Sequence, residues 1–414
     1  MIYLYPLGVS SMIINSIKMF AEKGITVDIY IDKPTYDASP VNFRHELIKI
    51  ILYDNKWTNT FLCKATIFVC SYISSFGFLN VFYKIIKEYF EIIPLRFFYS
   101  CYIKDYIFSK WLKKKIDKAS YDYVFTVEVK SLIATACIKN NIIYYNMELL
   151  DWSEKNPIYG KDKKLLKILE YKALKKALAL VIQSDIRAKQ FQRINDFYKK
   201  TYILPVASIG APIRNKDSFF QDKFHIPNDK YLVIYSGNIM PWAKCIEMVD
   251  SVRSWPENFC FILHTWKKEA FNTDYGLRVK EHAKGLPVYF SIDYLDIEEL
   301  AKCLSSADVA LMFYEPIDTN FIEILFSSNK LAEYLKAGLP VITYDFPELK
   351  KFINEHRIGK TISIIDELPK ALLQIVEEYD HYKKNVIECY LNIFRFEKYF
   401  QSFFEDLYPV ALSD

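Results

Sequence analysis

The sequence lacks most of the features that assign a chain quickly. Its eight cysteines (Cys63, Cys70, Cys101, Cys137, Cys245, Cys260, Cys303 and Cys389) show no paired spacing of the kind a zinc site or redox pair requires. They read as buried thiols in a reducing cytosol. The opening MIYLYPLGVSS has no basic region ahead of an apolar stretch and leads directly into a strand-like run. A cleaved leader is therefore not expected, and the mature protein is expected to begin at Met1. No internal repeat or low-complexity tract is present. A net charge of +4 is too small by itself to indicate a nucleic-acid partner.

What charge there is lies in one place. Between Lys84 and Lys118 nine Lys/Arg face four Asp/Glu, so the rest of the chain is close to neutral. Just upstream, Ala65 to Tyr83 is a run of 19 residues without a charge, long enough to span a bilayer but carrying four Ser/Thr, Asn80 and Gly77. Three readings stay open for this region: a membrane-spanning helix, a helix buried in the N-terminal domain, or, joined to the basic and aromatic 84–118, a surface that rests on anionic lipid.

The remainder is ordinary globular sequence, 51% hydrophobic and 25% charged, with 32 Tyr and 31 Phe. At 414 residues it exceeds one compact core, so two domains are expected. The run 2–6 reads as a strand, 10–24 as a helix with Ile13, Ile17 and Phe20 on one face and Gly24 ending it, and 26–32 as a second strand. This is a βαβ unit, which places the loop at Pro6–Ser10 on the carboxyl edge of a parallel sheet, where ligands bind. There Gly8 allows close backbone approach, and Ser10 or Ser11 can cap the helix. Residues 57–119 break the alternation, which resumes at Asp122 and continues to about Val206; 207–230 reads as a linker. Six short apolar runs follow, at 231–237, 260–265, 287–291, 309–314, 340–344 and 360–364, and predict a second doubly wound sheet. The aromatic, amphipathic end of the chain, with NIFRFEKYFQSFFEDL, is expected to pack back across the domain junction.

The strongest local signal is SSNKLAEYLKAGLPVI, residues 327–342. Small capping residues precede a helix bearing Lys330 and Glu333, Gly338 ends it, and Pro340 opens a buried strand. The helix start, with its first N–H groups near Asn329, Lys330 and Leu331 and Ser328 at the cap, is expected to hold a diphosphate, and Lys330 adds a full charge. Glu333, one turn further in, can accept from a ribose diol. An ordinary capped helix with exposed Lys and Glu is the alternative.

Together with YSGNIMPWAK upstream, this segment resembles the donor-site signature of retaining glycosyltransferases of the GT-B fold, similar to glycosyltransferase family 4. A weaker likeness in PLGVSSMIINSIKMFAEKGITVDIYI extends it to the N-terminus. The resemblance implies an α/β chain of two Rossmann-like doubly wound domains facing across a cleft: 1–206 on the acceptor side, 207–382 binding the nucleotide sugar, and 383–414 as a helix returning over the junction. It implies that Gly237 and Lys244 neutralise the donor diphosphate. Lys244 is thus expected to be catalytic, stabilising a leaving group whose negative charge grows as it departs. No DxD motif of the metal-dependent transferases is present, so no metal or other cofactor is expected, the nucleotide sugar being the substrate.

Asn238 stands where the family usually has Arg, and Cys245 where it commonly has Gly; Lys330 is expected to supply the missing charge. Eight positions before Glu333, where the family tends to have a first glutamate, lies Leu325, with Glu323 and Glu315 nearby but off register. At 144–152 relatives often have a histidine, and here Asn146 and Glu148 occupy that neighbourhood. Glu148 is the expected group to orient or deprotonate an acceptor hydroxyl, a loop-capping carboxylate being the alternative. His264, at a strand end, either faces the nucleotide base or is structural. The implied partners are a nucleotide-sugar donor, a glycan or lipid-linked acceptor and an anionic membrane surface at 84–118, with no nucleic acid. The implied location is the cytoplasm, peripheral on the inner face of the membrane. Two other readings share the scaffold: a nucleotide-sugar 2-epimerase, which needs no acceptor, and a non-catalytic nucleotide-sugar-binding protein.

Overall fold

The computed structural model describes residues 1–3, 10–38, 40–54, 100–152, 163–295 and 297–409. The loop containing Gly8, the uncharged run 65–83 and the first part of the basic segment lie outside these residues. Among the described residues no helix is long and apolar enough to cross a membrane.

Two sheets organise the chain. The first contains β1 (Ile2–Tyr3), β2 (Val27–Asp32), β3 (Ile48–Tyr53), β4 (Val124–Val127), β5 (Ile142–Tyr145), β6 (Ala177–Ile182) and β7 (Lys200–Ile203), in the order β3-β2-β1-β4-β5-β6-β7. The second contains β8 (Tyr231–Ser236), β9 (Phe259–Thr265), β10 (Val288–Ile292), β11 (Val309–Met312), β12 (Val341–Tyr344) and β13 (Gly359–Ile362), in the order β10-β9-β8-β11-β12-β13. The pairs are parallel throughout. Central strands such as β4, β5 and β11 are buried at every position because helices cover both faces. In each sheet the chain starts in the middle, works outward one way, then returns to the middle and works outward the other way. The reversal lies between β1 and β4 in the first sheet and between β8 and β11 in the second. A crevice opens at such a switch point beyond the carboxyl ends of the strands.

The two halves share an apolar core that runs from Met12, Ile13 and Ile143 through Leu204 and Val206 to Ile234, Met312 and Tyr334. The final helix, Phe396–Leu407, leaves the second half and packs on the first. Phe400 lies 4.8 Å from Phe20 between ring centroids, Phe403 lies 4.9 Å from Tyr202, and Tyr123 Oη donates to the Leu407 carbonyl at 3.1 Å. The return is pinned where Ser208 N–H donates to the Phe394 carbonyl and Phe396 N–H to the Ser208 carbonyl.

Candidate functional site

At the β8/β11 switch point the chain after β8 turns through Gly237, whose N–H donates to the His264 carbonyl at 2.9 Å. A short turn, Pro241–Ala243, then brings Lys244 into a left-handed conformation (φ 57°) as the cap of the helix Cys245–Ser251. From this position Lys244 Nζ reaches Glu247 at 3.3 Å and Glu315, beyond β11, at 3.5 Å. Partial burial opposes its charge, but the two carboxylates outweigh that and raise its pKa, so Lys244 is a held cation.

The helix Asn329–Lys336 starts at the same edge. Ser328 Oγ accepts from Leu331 N–H at 3.4 Å and sits 3.1 Å from Tyr314 Oη. The other end closes with Gly338 at φ 76°, its N–H on the Leu335 carbonyl and Leu339 N–H on the Tyr334 carbonyl, the left-handed glycine stop expected from AGLP. Leu331 is on the buried face and its N–H is taken by Ser328 Oγ, so it is not the unpaired donor expected from the sequence.

Lys330 projects from the first turn into a cage of rings, its Nζ 4.7 Å from the Tyr314 centroid, 5.4 Å from Tyr235 and 5.8 Å from Trp242. It also donates to Tyr314 Oη at 3.1 Å. A Cβ on residue 237 would come within 2.5 Å of Lys330 Cε, so the glycine makes room for the lysine. Trp242 stacks on Tyr314 at 6.0 Å and 2°. Its carbonyl accepts from Glu315 N–H, which ties the Lys244 turn to the segment after β11 that carries Tyr314. Gly237, Lys244, Ser328 and Lys330 thus meet at one edge. Asn238 joins them, its backbone carbonyl held by Tyr235 Oη and its Oδ1 buried with no partner.

Other expected residues have other surroundings. Glu333 is buried and accepts from Ser208 Oγ in the linker at 2.6 Å, while its Oε2 has no partner. Burial raises its pKa against the pull of Lys336 and the Ser208 bond. Asn329 bridges the two halves, its Oδ1 accepting from Ser11 Oγ at 2.7 Å. The His264 ring is turned into the protein, 3.0 Å from Ser291 Oγ and edge-on to Phe220. Burial lowers its pKa to about 4, so it is neutral. The histidine therefore takes its structural alternative, and only its backbone carbonyl meets the Gly237 turn.

The wall contributed by the first half is richer than the sequence suggested. Glu148, half-buried, lies beyond β5 near Arg187 and Asp318; burial raises its pKa, Arg187 opposing and Asp318 adding to the rise. Its N–H and that of Met147 donate to Glu128 Oε1 at 3.0 and 2.7 Å. Glu128 is the residue immediately after β4, at φ 64°, and is 3% exposed. Arg187 is buried and donates from Nη2 to the Met147 carbonyl and to Asn320 Oδ1 of the other half. Asn320 in turn clasps Leu149, accepting from its N–H at 2.7 Å and donating to its carbonyl at 2.9 Å. The sequence reading extended the strand through Glu128 and passed over Arg187 and Asn320. An acidic residue ending an apolar strand was a signal for the first; nothing local marked the others.

A cavity of about 320 Å³ lies elsewhere, among Met1, Asp28, Tyr121 and Tyr408 at the start of the first-sheet strands, the end at which such sheets do not bind ligands.

A family model described as the C-terminal domain of glucosyltransferase 3-like proteins matches residues 320–399. No curated protein sequence matches the chain. Among solved structures the chain is similar to sucrose-phosphate synthase from Thermosynechococcus elongatus, with 15% identity and a TM-score of 0.68 over 99% of this chain and 97% of that one. It is also similar to WaaG, a glycosyltransferase involved in lipopolysaccharide biosynthesis, with 14% identity and a TM-score of 0.63 over 98% and 99%. A third is HepE of Anabaena in complex with UDP and glucose, with 13% identity and a TM-score of 0.64 over 98% of each chain. At these identities the likeness establishes the fold, which is GT-B across nearly the whole chain.

Proposed function

We propose that this protein is a glycosyltransferase that moves a sugar from a nucleoside-diphosphate donor to a glycan or lipid-linked acceptor. The observation that carries the reading is the meeting of Lys244, Lys330 and the Ser328-capped helix start at the switch point of the second sheet. Two ammonium groups and the positive end of a helix dipole at one crevice match a pyrophosphate. The fold shared with the UDP-bound and glucose-bound HepE supports that reading.

The donor diphosphate lies at this edge and exchanges the Glu315 contact of Lys244 and the aromatic cage of Lys330 for its own oxygens. Fixed cations and dipoles stabilise the charge that builds as the diphosphate leaves, so no metal is needed for that step. The unpartnered Oε2 of Glu333 is the acceptor for a ribose hydroxyl. Glu148, on the facing wall, orients the acceptor hydroxyl. Transfer proceeds with retention at the anomeric carbon. The protein works in the cytoplasm, and its basic, aromatic 84–118 segment brings it to anionic membrane; loss of liposome co-sedimentation in high salt checks that placement.

The decisive test is a thermal-shift screen with UDP, GDP, ADP and TDP sugars, followed by transfer assays on the donor that binds. Lys244→Ala is expected to lower kcat by about 10²–10³ with the fold intact, the size of effect seen when one fixed charge stabiliser is removed. Wild-type rates in both Lys244→Ala and Glu333→Ala would refute the assignment. Incubation with donor alone separates an epimerase, and tight donor binding without turnover across an acceptor panel identifies a binding protein.

A further inference from the structure

The β1/β4 switch point of the first sheet carries a group that the proposed chemistry does not yet use. Glu128 opens the helix Glu128–Ala134 directly after β4, on the carboxyl edge where such sheets take ligands. Its side chain is divided in function. Oε1 accepts from two backbone N–H groups, those of Met147 and Glu148, and so fixes the loop after β5. Oε2 is buried and has no partner. The loop-fixing role accounts for one oxygen and leaves the other unexplained, although an orphaned buried polar atom is costly.

The groups around it favour a carboxylic acid. Glu148 faces it from the loop after β5, Glu170 from the helix Lys163–Leu174, Tyr144 from β5 and Arg187 from the helix Asp185–Asn195. Asp318 and Glu323 share the field of the same guanidinium. Lys167, buried on the same helix as Glu170, pairs with it at 2.7 Å, which leaves one arginine among Glu128, Glu148, Asp318 and Glu323. Burial first, then the charge of Glu148, pushes the Glu128 pKa up to about 8, against the two N–H bonds that lower it. A protonated Glu128 has a carbonyl oxygen filled by two amides and a hydroxyl with no acceptor, a donor in need of an oxygen.

We propose that Glu128 is a sugar-binding residue, the hydroxyl half of its carboxyl donating to a hydroxyl oxygen of the sugar that lies between the two walls. The proposal rests on the glycosyltransferase reading above. Both the donor sugar and the acceptor present such oxygens, and the test separates them.

Binding is measured by calorimetry on the full-length protein for wild type, Glu128→Gln and Glu128→Ala, with the nucleoside diphosphate, with the corresponding nucleotide sugar, and with free monosaccharides added to the diphosphate complex. All three proteins are expected to bind the bare diphosphate equally. Glu128→Ala is expected to bind sugar about tenfold more weakly, the size of one hydrogen bond, whereas Glu128→Gln, which keeps an N–H donor, retains it. A loss for the nucleotide sugar places the donor on Glu128, and a loss for the monosaccharide places the acceptor there. Sugar affinity of the wild type should also change as pH passes through about 8, where the hydroxyl donor becomes a carboxylate acceptor, while that of Glu128→Gln does not, a readout that stands if the alanine variant fails to fold. Unchanged sugar binding in Glu128→Ala, or the same pH dependence in Glu128→Gln as in wild type, overturns the assignment of Glu128 alone. Failure of wild type to bind any nucleoside diphosphate overturns the transferase reading and this inference with it.

Discussion

Individual side chains in this protein are set by what buries them more than by their type. Lys330 and Lys244 are both lysines at one crevice edge, yet one rests among three rings and the other between two carboxylates. Glu128 shows the same principle as a pH effect. Its folded-state pKa, about 8, is raised above the ordinary 4.5 by burial, so the folded protein holds a proton that the unfolded chain releases. The stabilisation is therefore complete below about pH 4.5 and is lost as pH rises through about 8. Urea unfolding across pH 5 to 9 should show wild type losing stability relative to Glu128→Gln over this window. Parallel curves would mean that Glu128 is ionised in the folded state.

Elements meet the expectation from sequence where periodicity and end signals agree. The helix Asn329–Lys336 starts at a serine cap and stops at a left-handed glycine, both visible in SSNKLAEYLKAGLP. The six apolar runs of the second half all fall on strands within a residue or two. Glu128 marks a failure of the same method, because its apolar neighbours in YVFTVEV continue the strand pattern while the backbone turns at φ 64°. The closing helix Phe396–Leu407 is amphipathic, and Phe400 is wholly buried against Phe20, Phe396, Phe403 and Phe404. Phe400→Ala should cost about 3–5 kcal/mol in chemical denaturation, because the gap lies between elements from both halves and cannot close by moving one. A cost below about 1 kcal/mol would show that the helix is not docked in solution.

At the scale of the whole molecule, the two halves are held by polar clasps as well as by the shared core. Asn320 reaches from one half to both backbone groups of Leu149 and to Arg187 of the other. Asn320→Ala leaves these buried groups without that partner, at about 1–3 kcal/mol for each one orphaned. The expected result is a lower melting temperature with the secondary structure unchanged by circular dichroism. An unchanged melting temperature would mean that the clasp is open in solution.

The chain's own sequence determined the alternation of strands and helices, the caps of the Asn329 helix and the candidate cations, because hydrophobic period, capping and charge are local properties. Tertiary structure alone decided that His264 turns inward, that Glu333 meets Ser208 and that Glu128, Arg187 and Asn320 share one buried junction. Those outcomes depend on which distant residues exclude water from a side chain, and separations such as the 133 positions between Arg187 and Asn320 leave no local pattern to read.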